Sequence, residues 1–198
     1  MDYTSIAERI IDLKRSDLAL RDRLMQSGQL AEGYNEEMKK LHNSNAEILN
    51  EIIDTIGYPT IDKVGKEASD AAWLVIQHAI GQPRFMKHCA ELLKAAVNEN
   101  KADPGNLAYL TDRIAVLSGE QQLYGTQFDW DENGELSPNP IDDLAKVNER
   151  RKSIGLNTLE EQTAIIRKQA KDEHQLPPAD LRKRRQEIDE WRKAAGWI

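Results

Sequence analysis

Seven polar side chains, Asp17, Arg21, Gln77, His78, Tyr109, Asp112 and Arg113, stand in or beside apolar runs of helical spacing. Buried polar groups need partners. This set therefore either pairs across a helical core or lines a cavity that receives a ligand. The residue types suit proton transfer and anion binding. An imidazole exchanges protons near neutral pH, a carboxylate orients it, and a guanidinium grips an anion with two parallel hydrogen bonds. On that chemistry the candidate catalytic residues are His78 and Asp112, with Asp17 as the other carboxylate able to orient the imidazole. The candidate ligand-binding residues are Asp17, Arg21, Gln77, Tyr109 and Arg113, with Tyr124, Thr126 and Gln127 closing the pocket.

Each residue also has a plain structural role to play. Asp17 and Arg21 have the spacing of an ordinary i,i+4 ion pair. His78 suits a satisfied core histidine, and Asp112 with Arg113 could cap or tie the hairpin. Trp73 reads as a packing residue. His42, His88 and His174 are placed on charged helix faces and are expected to do nothing specific. No metal site is expected, because the chain has no HExxH, CxxC or calcium-loop pattern, and Asn133-Gly134 accounts for "WDENGE" as a turn. Neither GxGxxG nor GxxxxGKS occurs, and no serine stands in a GxSxG elbow. The cofactor is left unassigned.

The elements that must position these residues follow from the apolar spacing. Ile6, Ile10, Leu13, Leu20 and Leu24 predict a helix over residues 2–26 that Gly28 ends, with Asp17 and Arg21 along or beside its seam. A second helix is predicted over 30–56 and stopped by "GYPT". The segment 66–80, apolar on nearly every side, predicts a central helix. Further helices are expected from Pro83 to about residue 100 and from Pro104 to Ser118. Around Asn133-Gly134, β-forming residues predict a small hairpin within 124–138 with a tight turn. Three charged helical stretches complete the chain, with Leu181, Ile188, Trp191 and Trp197 as the anchors of the last part. The expected architecture is mainly α: a helical bundle of about five core helices, a small β-hairpin and a helical C-terminal extension. The division is placed at 157/158.

Composition narrows the function classes. The chain has 198 residues, a formal net charge of −7, 31% charged and 6% aromatic residues. The acidic balance argues against nucleic-acid binding. Residues 141–198 carry thirteen basic against eleven acidic residues, and their alternating signs fit solvated helices with i,i+4 pairs. No apolar run reaches the roughly 20 residues of a membrane span, and no secretory leader is legible at the N-terminus. No membrane partner is expected. A lone Cys89 among core-type residues fits a packed thiol in a cytoplasmic protein.

The strings "WLVIQHA", "AYLTDRIAVLSGEQQLYGTQF" and "ENGELSPNPIDDLAKVNERRKSIGL" occur in that order. Over roughly residues 5–157 the chain resembles a family of bacterial proteins defined as a domain of unknown function. The most specific matches are Gln77-His78, Tyr109 to Arg113 and Tyr124 to Gln127, joined by Asp17 and Arg21 on the first helix. The resemblance implies no established activity. Three functions are therefore carried forward. The first is a small polar or anionic ligand site in a helical bundle, as in a hydrolase or transferase. The second is a non-enzymatic interaction module whose buried polar network is structural and which binds a protein partner through the C-terminal helices. The third, remoter, is a bacterial toxin or immunity protein.

Overall fold

The Asp2 carboxylate accepts hydrogen bonds from the backbone N–H groups of Thr4 and Ser5 and so opens the first helix, α1 (Tyr3–Gln26). The computed structural model describes residues 2–29 and 34–198. It is mainly helical, with a single antiparallel hairpin among those residues. Its contacts divide into two compact units, residues 1–103 and 104–198.

In the first unit, α1 is followed by α2 (Glu36–Ile56), α3 (Ile61–His78) and α4 (Pro83–Asn98). The predicted start of α2 at residue 30 moves to Glu36. Asn35 caps the helix from an extended conformation, accepting from the N–H groups of Glu37 and Met38; residues 30–33 lie outside the described set. Gly57, at φ 72°, stops α2 as expected. Gly65, at φ 79°, interrupts α3 after its first turn, so the continuous helix begins at Lys66, where the apolar spacing sets it. α1 packs mainly on α3 and also on α2, α2 packs on α3, and α4 packs on α3. Ala68, Ala71 and Ala72 of α3 are buried, and such small residues let neighbouring helices approach closely. Ile10, Leu24, Leu49, Ile76, Met86 and Leu93 fill the core around them.

The second unit comprises α5 (Pro104–Ser118), β1 (Phe128–Trp130), β2 (Leu136–Pro138), α6 (Leu144–Ser153), α7 (Leu159–Asp172) and α8 (Leu181–Ala195). β1 and β2 pair antiparallel, with Trp130 opposite Leu136. The turn between them is longer than the tight two-residue form predicted. Among the described residues Asn133 is not one with positive φ, and only Gly134 turns left-handed, at φ 72°. Asp131 organises the loop, accepting from the N–H groups of Asn133 and Glu135 and from Ser137 Oγ. α7 packs on β2 and α6, with Leu159 buried. Arg167 of α7 donates from Nε to the Leu136 carbonyl and pairs with Glu135. α8 reaches back through Arg192 Nε to the Leu117 carbonyl, and through Arg184 and Arg185 to Asp129 and Glu132. Trp197 is buried. Residues 158–198 are thus joined by hydrogen bonds and packing to residues 104–157.

Candidate functional site

Three helices of the first unit each deliver one titratable side chain to a common point. Asp17 lies on the buried seam of α1 and is fully buried, His42 comes from the buried seam of α2, and His78 ends α3. Asp17 Oδ2 is 2.9 Å from His78 Nδ1 and 3.2 Å from His42 Nε2. The two imidazole centroids are 5.1 Å apart. Behind them, the Tyr34 hydroxyl is 2.7 Å from His42 Nδ1. The result is a continuous chain, Tyr34–His42–Asp17–His78, enclosed by helix–helix packing. His78 is its accessible end, with 25% of its side chain exposed against 8% for His42 and 1% for Asp17.

The electrostatics of the chain centre on Asp17. Burial by itself raises the carboxyl pKa, but the neighbouring imidazoles of His42 and His78 outweigh it and bring the group down to about 2. The carboxylate is therefore ionised near neutral pH while sitting in an apolar bundle. Tyr34 is pushed well above the ordinary phenol value, first by burial and then by the Asp17 charge, so its hydroxyl stays protonated. The site is not saturated, however. Asp17 Oδ1 is buried without a hydrogen-bond partner, and so is His42 Nε2, whose 3.2 Å approach to Asp17 lacks hydrogen-bond alignment. Asp17, His42 and His78 are a set of three metal-capable side chains, with one ligand atom from each lying within 4.8 Å of the others.

Sequence reasoning singled out two of these three and missed His42, which is buried and engaged where it was expected to be idle. The signal was present. Met38, His42, Asn45, Leu49, Ile52 and Ile56 recur at steps of three and four, and all six are buried. The charged neighbours of His42 belong to the other faces of α2. Arg21 behaves otherwise than expected: it is exposed, and Asp17 turns to the histidines rather than to its i+4 neighbour. Gln77 is buried one position before His78.

The remaining candidates belong to the second unit, where Asp112 holds a loop. Fully buried on α5, its carboxylate accepts from the backbone N–H groups of Leu123 and Tyr124 at 2.8 and 3.1 Å on Oδ1, and of Thr126 at 2.8 Å on Oδ2. Its pKa is raised, because burial outweighs those three hydrogen bonds. The buried Gln122 side chain bridges the same loop: Oε1 accepts from Gln127 N–H, and Nε2 donates to the carbonyls of Gln127 and Asn139. Arg151, almost fully buried, donates to the Tyr124 and Asn157 carbonyls and to Asn157 Oδ1. Gly125, at φ 64°, lies so close to Leu159 that an added Cβ would meet its side chain at 2.8 Å. Gln127 Nε2 donates to Thr126 Oγ1. These contacts tie Asp112 to the 122–127 loop, whereas Asp17 is hydrogen-bonded to His78. Tyr109 is exposed, and Arg113 is partly buried with its guanidinium pKa lowered by desolvation. Gln122 and Arg151, both unmarked at the level of sequence, complete the loop's support.

No curated protein and no solved structure matches the chain. A family model described as a family of unknown function, DUF6624, matches residues 5–175, a span that takes in α1 to α7 and every side chain of both networks. The chain belongs to that family.

Proposed function

We propose that residues 2–103 form a reaction site for a small polar ligand, as in a hydrolase or transferase, worked by Asp17, His42 and His78. The observation that supports this reading is an ionised carboxylate, fully buried, set between two imidazoles from separate helices with one imidazole reaching the surface. For stability alone, a buried ionic group is seldom better than apolar packing of the same volume. Strongly perturbed titratable groups with a specific charged partner cluster at functional sites. In this reading Asp17 fixes the ring of His78 through Nδ1, which leaves Nε2 to exchange a proton with the ligand. His42 and Tyr34 hold the carboxylate from the inner side. Because Asp17, His42 and His78 sit on packed helices, little reorganisation is needed on binding.

The first test is thermal unfolding of the full chain against a panel of small probes, including inorganic phosphate, acetate and glycerol. One of them is expected to raise the midpoint of the wild type and to leave His78→Gln unmoved. Equal responses from the two proteins, or no response from either, overturn the reading. The interaction-module reading draws on a different observation: no residue of α8 is buried, although α8 is tied to its own unit by Arg184, Arg185 and Arg192. A bacterial, cytoplasmic setting belongs to the same proposal. The bacterial part follows the family resemblance, and the cytoplasmic part the lone Cys89, a buried free thiol pushed up to about 12 by desolvation.

A further inference from the structure

We propose that Asp17, His42 and His78 bind one divalent transition-metal ion of the zinc class, and that this ion makes the site attractive to anionic ligands. The inference rests on the reading of this cluster as a working site. Its geometry is the first support. Metal bonds of roughly 2.0–2.2 Å in a tetrahedral or octahedral arrangement put neighbouring ligand atoms roughly 3–3.5 Å apart. Asp17 Oδ2 is 2.9 Å from His78 Nδ1 and 3.2 Å from His42 Nε2. The donor set of two imidazoles and one carboxylate is that of a catalytic metal centre, in which three protein ligands leave a position open. The open position falls on the side of His78, the most exposed of the three.

The second support is the pair of buried atoms with no protein partner. Asp17 Oδ1 and His42 Nε2 are both without a hydrogen bond, and they belong to side chains already in contact. A ring nitrogen left unmade is costly, and a cation held by Asp17 Oδ2 satisfies it; a carboxylate that binds the ion through both oxygens brings in Oδ1 as well. Tyr34 fits the role of an outer partner. A ligating histidine usually engages its second ring nitrogen in a hydrogen bond that sets its tautomer, and Tyr34 Oη meets His42 Nδ1 at 2.7 Å. With Nδ1 donating to Tyr34, the Nε2 lone pair faces Asp17, an arrangement that two electron-rich atoms tolerate when a cation lies between them.

Charge supplies the third support. With neutral imidazoles the three side chains sum to −1, which favours a cation and repels an anion. A divalent ion reverses the sum to +1, so that an anionic group can complete the coordination. His78 then ligates through Nδ1 and keeps Nε2–H as a donor toward the bound group. The acid cluster of Asp129, Asp131, Glu132 and Glu135 at the hairpin carries no such case: Arg184, Ser137, Arg185 and Arg167 already engage those carboxylates.

The test is titration of the metal-free full-length protein with Zn2+, and separately Co2+, followed by metal content after dialysis and by long-range 1H–15N spectra of the histidines. The expected result is one ion per chain, with shifts confined to Nδ1 of His78 and Nε2 of His42, while His88 and His174 stay put. Asp17→Asn and His42→Gln should weaken zinc binding by ~100-fold or more, and His88→Gln should not change it. The spectra on the wild type keep the inference falsifiable if a variant fails to fold. Stoichiometry below one ion, or shifts at His88 or His174 instead, overturns it. Inorganic phosphate separates the two proposals. Binding of phosphate to chelator-treated protein sinks the metal and spares the ligand site. Zinc held at the three residues with no response to any small probe sustains the metal and sinks the reaction site.

Discussion

Two fully buried aspartates, Asp17 on α1 and Asp112 on α5, meet opposite fates in their separate units. Asp112 points both oxygens at backbone N–H groups of one loop, and its pKa rises because burial outweighs the hydrogen bonds. Asp17 takes two side-chain partners on one oxygen, leaves the other unmade, and its pKa falls. In the proposed reading the difference separates scaffold from site. A carboxylate saturated by amide groups fixes backbone geometry and has nothing left to offer a ligand. One set between titratable rings keeps both unmet valence and the means to exchange protons.

Asp112→Ala should be the most damaging change. It strands three backbone N–H groups in the interior, at a cost of roughly 3–5 kcal/mol, read as a lowered urea midpoint. If instead Asp17→Ala destabilises more, the assignment of scaffold and site is reversed. Arg151→Met comes next. It keeps the side-chain volume but abandons the carbonyls of Tyr124 and Asn157, for a loss of roughly 2–3 kcal/mol by the same measurement.

The pH dependence sharpens the comparison. Asp17 is ionised in the folded chain down to about 2, against 3.8 for a free aspartate side chain. Its contribution is therefore present above pH ~4 and lost as the pH falls toward 2, and amounts to about 2 kcal/mol. The stability difference between wild type and Asp17→Asn should shrink over that window, as measured by chemical denaturation at stepped pH; a flat difference removes Asp17 as an ionised centre. Asp112 has the opposite sign, since its raised folded pKa makes stability fall as pH rises through the titration. The smallest effect is expected from Arg185→Ala, which breaks an exposed pair with Glu132 and should leave the unfolding midpoint within experimental scatter.

Truncation gains a clearer meaning from the fold. Removing 158–198 takes away Leu159 beneath Gly125 and Arg167 beside β2, as well as the tail proper. A cut after residue 175, where the family match ends, spares α7 and tests the partner reading without unseating the loop.

The helices were legible because their cause is local. Apolar residues at steps of three and four, closed by Gly28, Gly57 and Gly119, specify elements whatever lies elsewhere in the chain. The polar intruders were legible for the same reason: Asp17 and His78 interrupt seams that packing alone would keep apolar. His42 escaped because the charges beside it in sequence lie on other faces of its helix. Gln122 and Arg151 escaped because nothing near them in the chain announces what they hold.

By itself, then, the sequence determined the helical class, the points where elements end, and the fact that several polar groups must be buried and paired. Only the tertiary structure decided which groups pair with which. His78 meets Asp17 across 61 positions, and Arg151 meets Tyr124 across 27. Such partnerships depend on how helices turn and cross once they pack, a three-dimensional relation that one-dimensional periodicity does not encode.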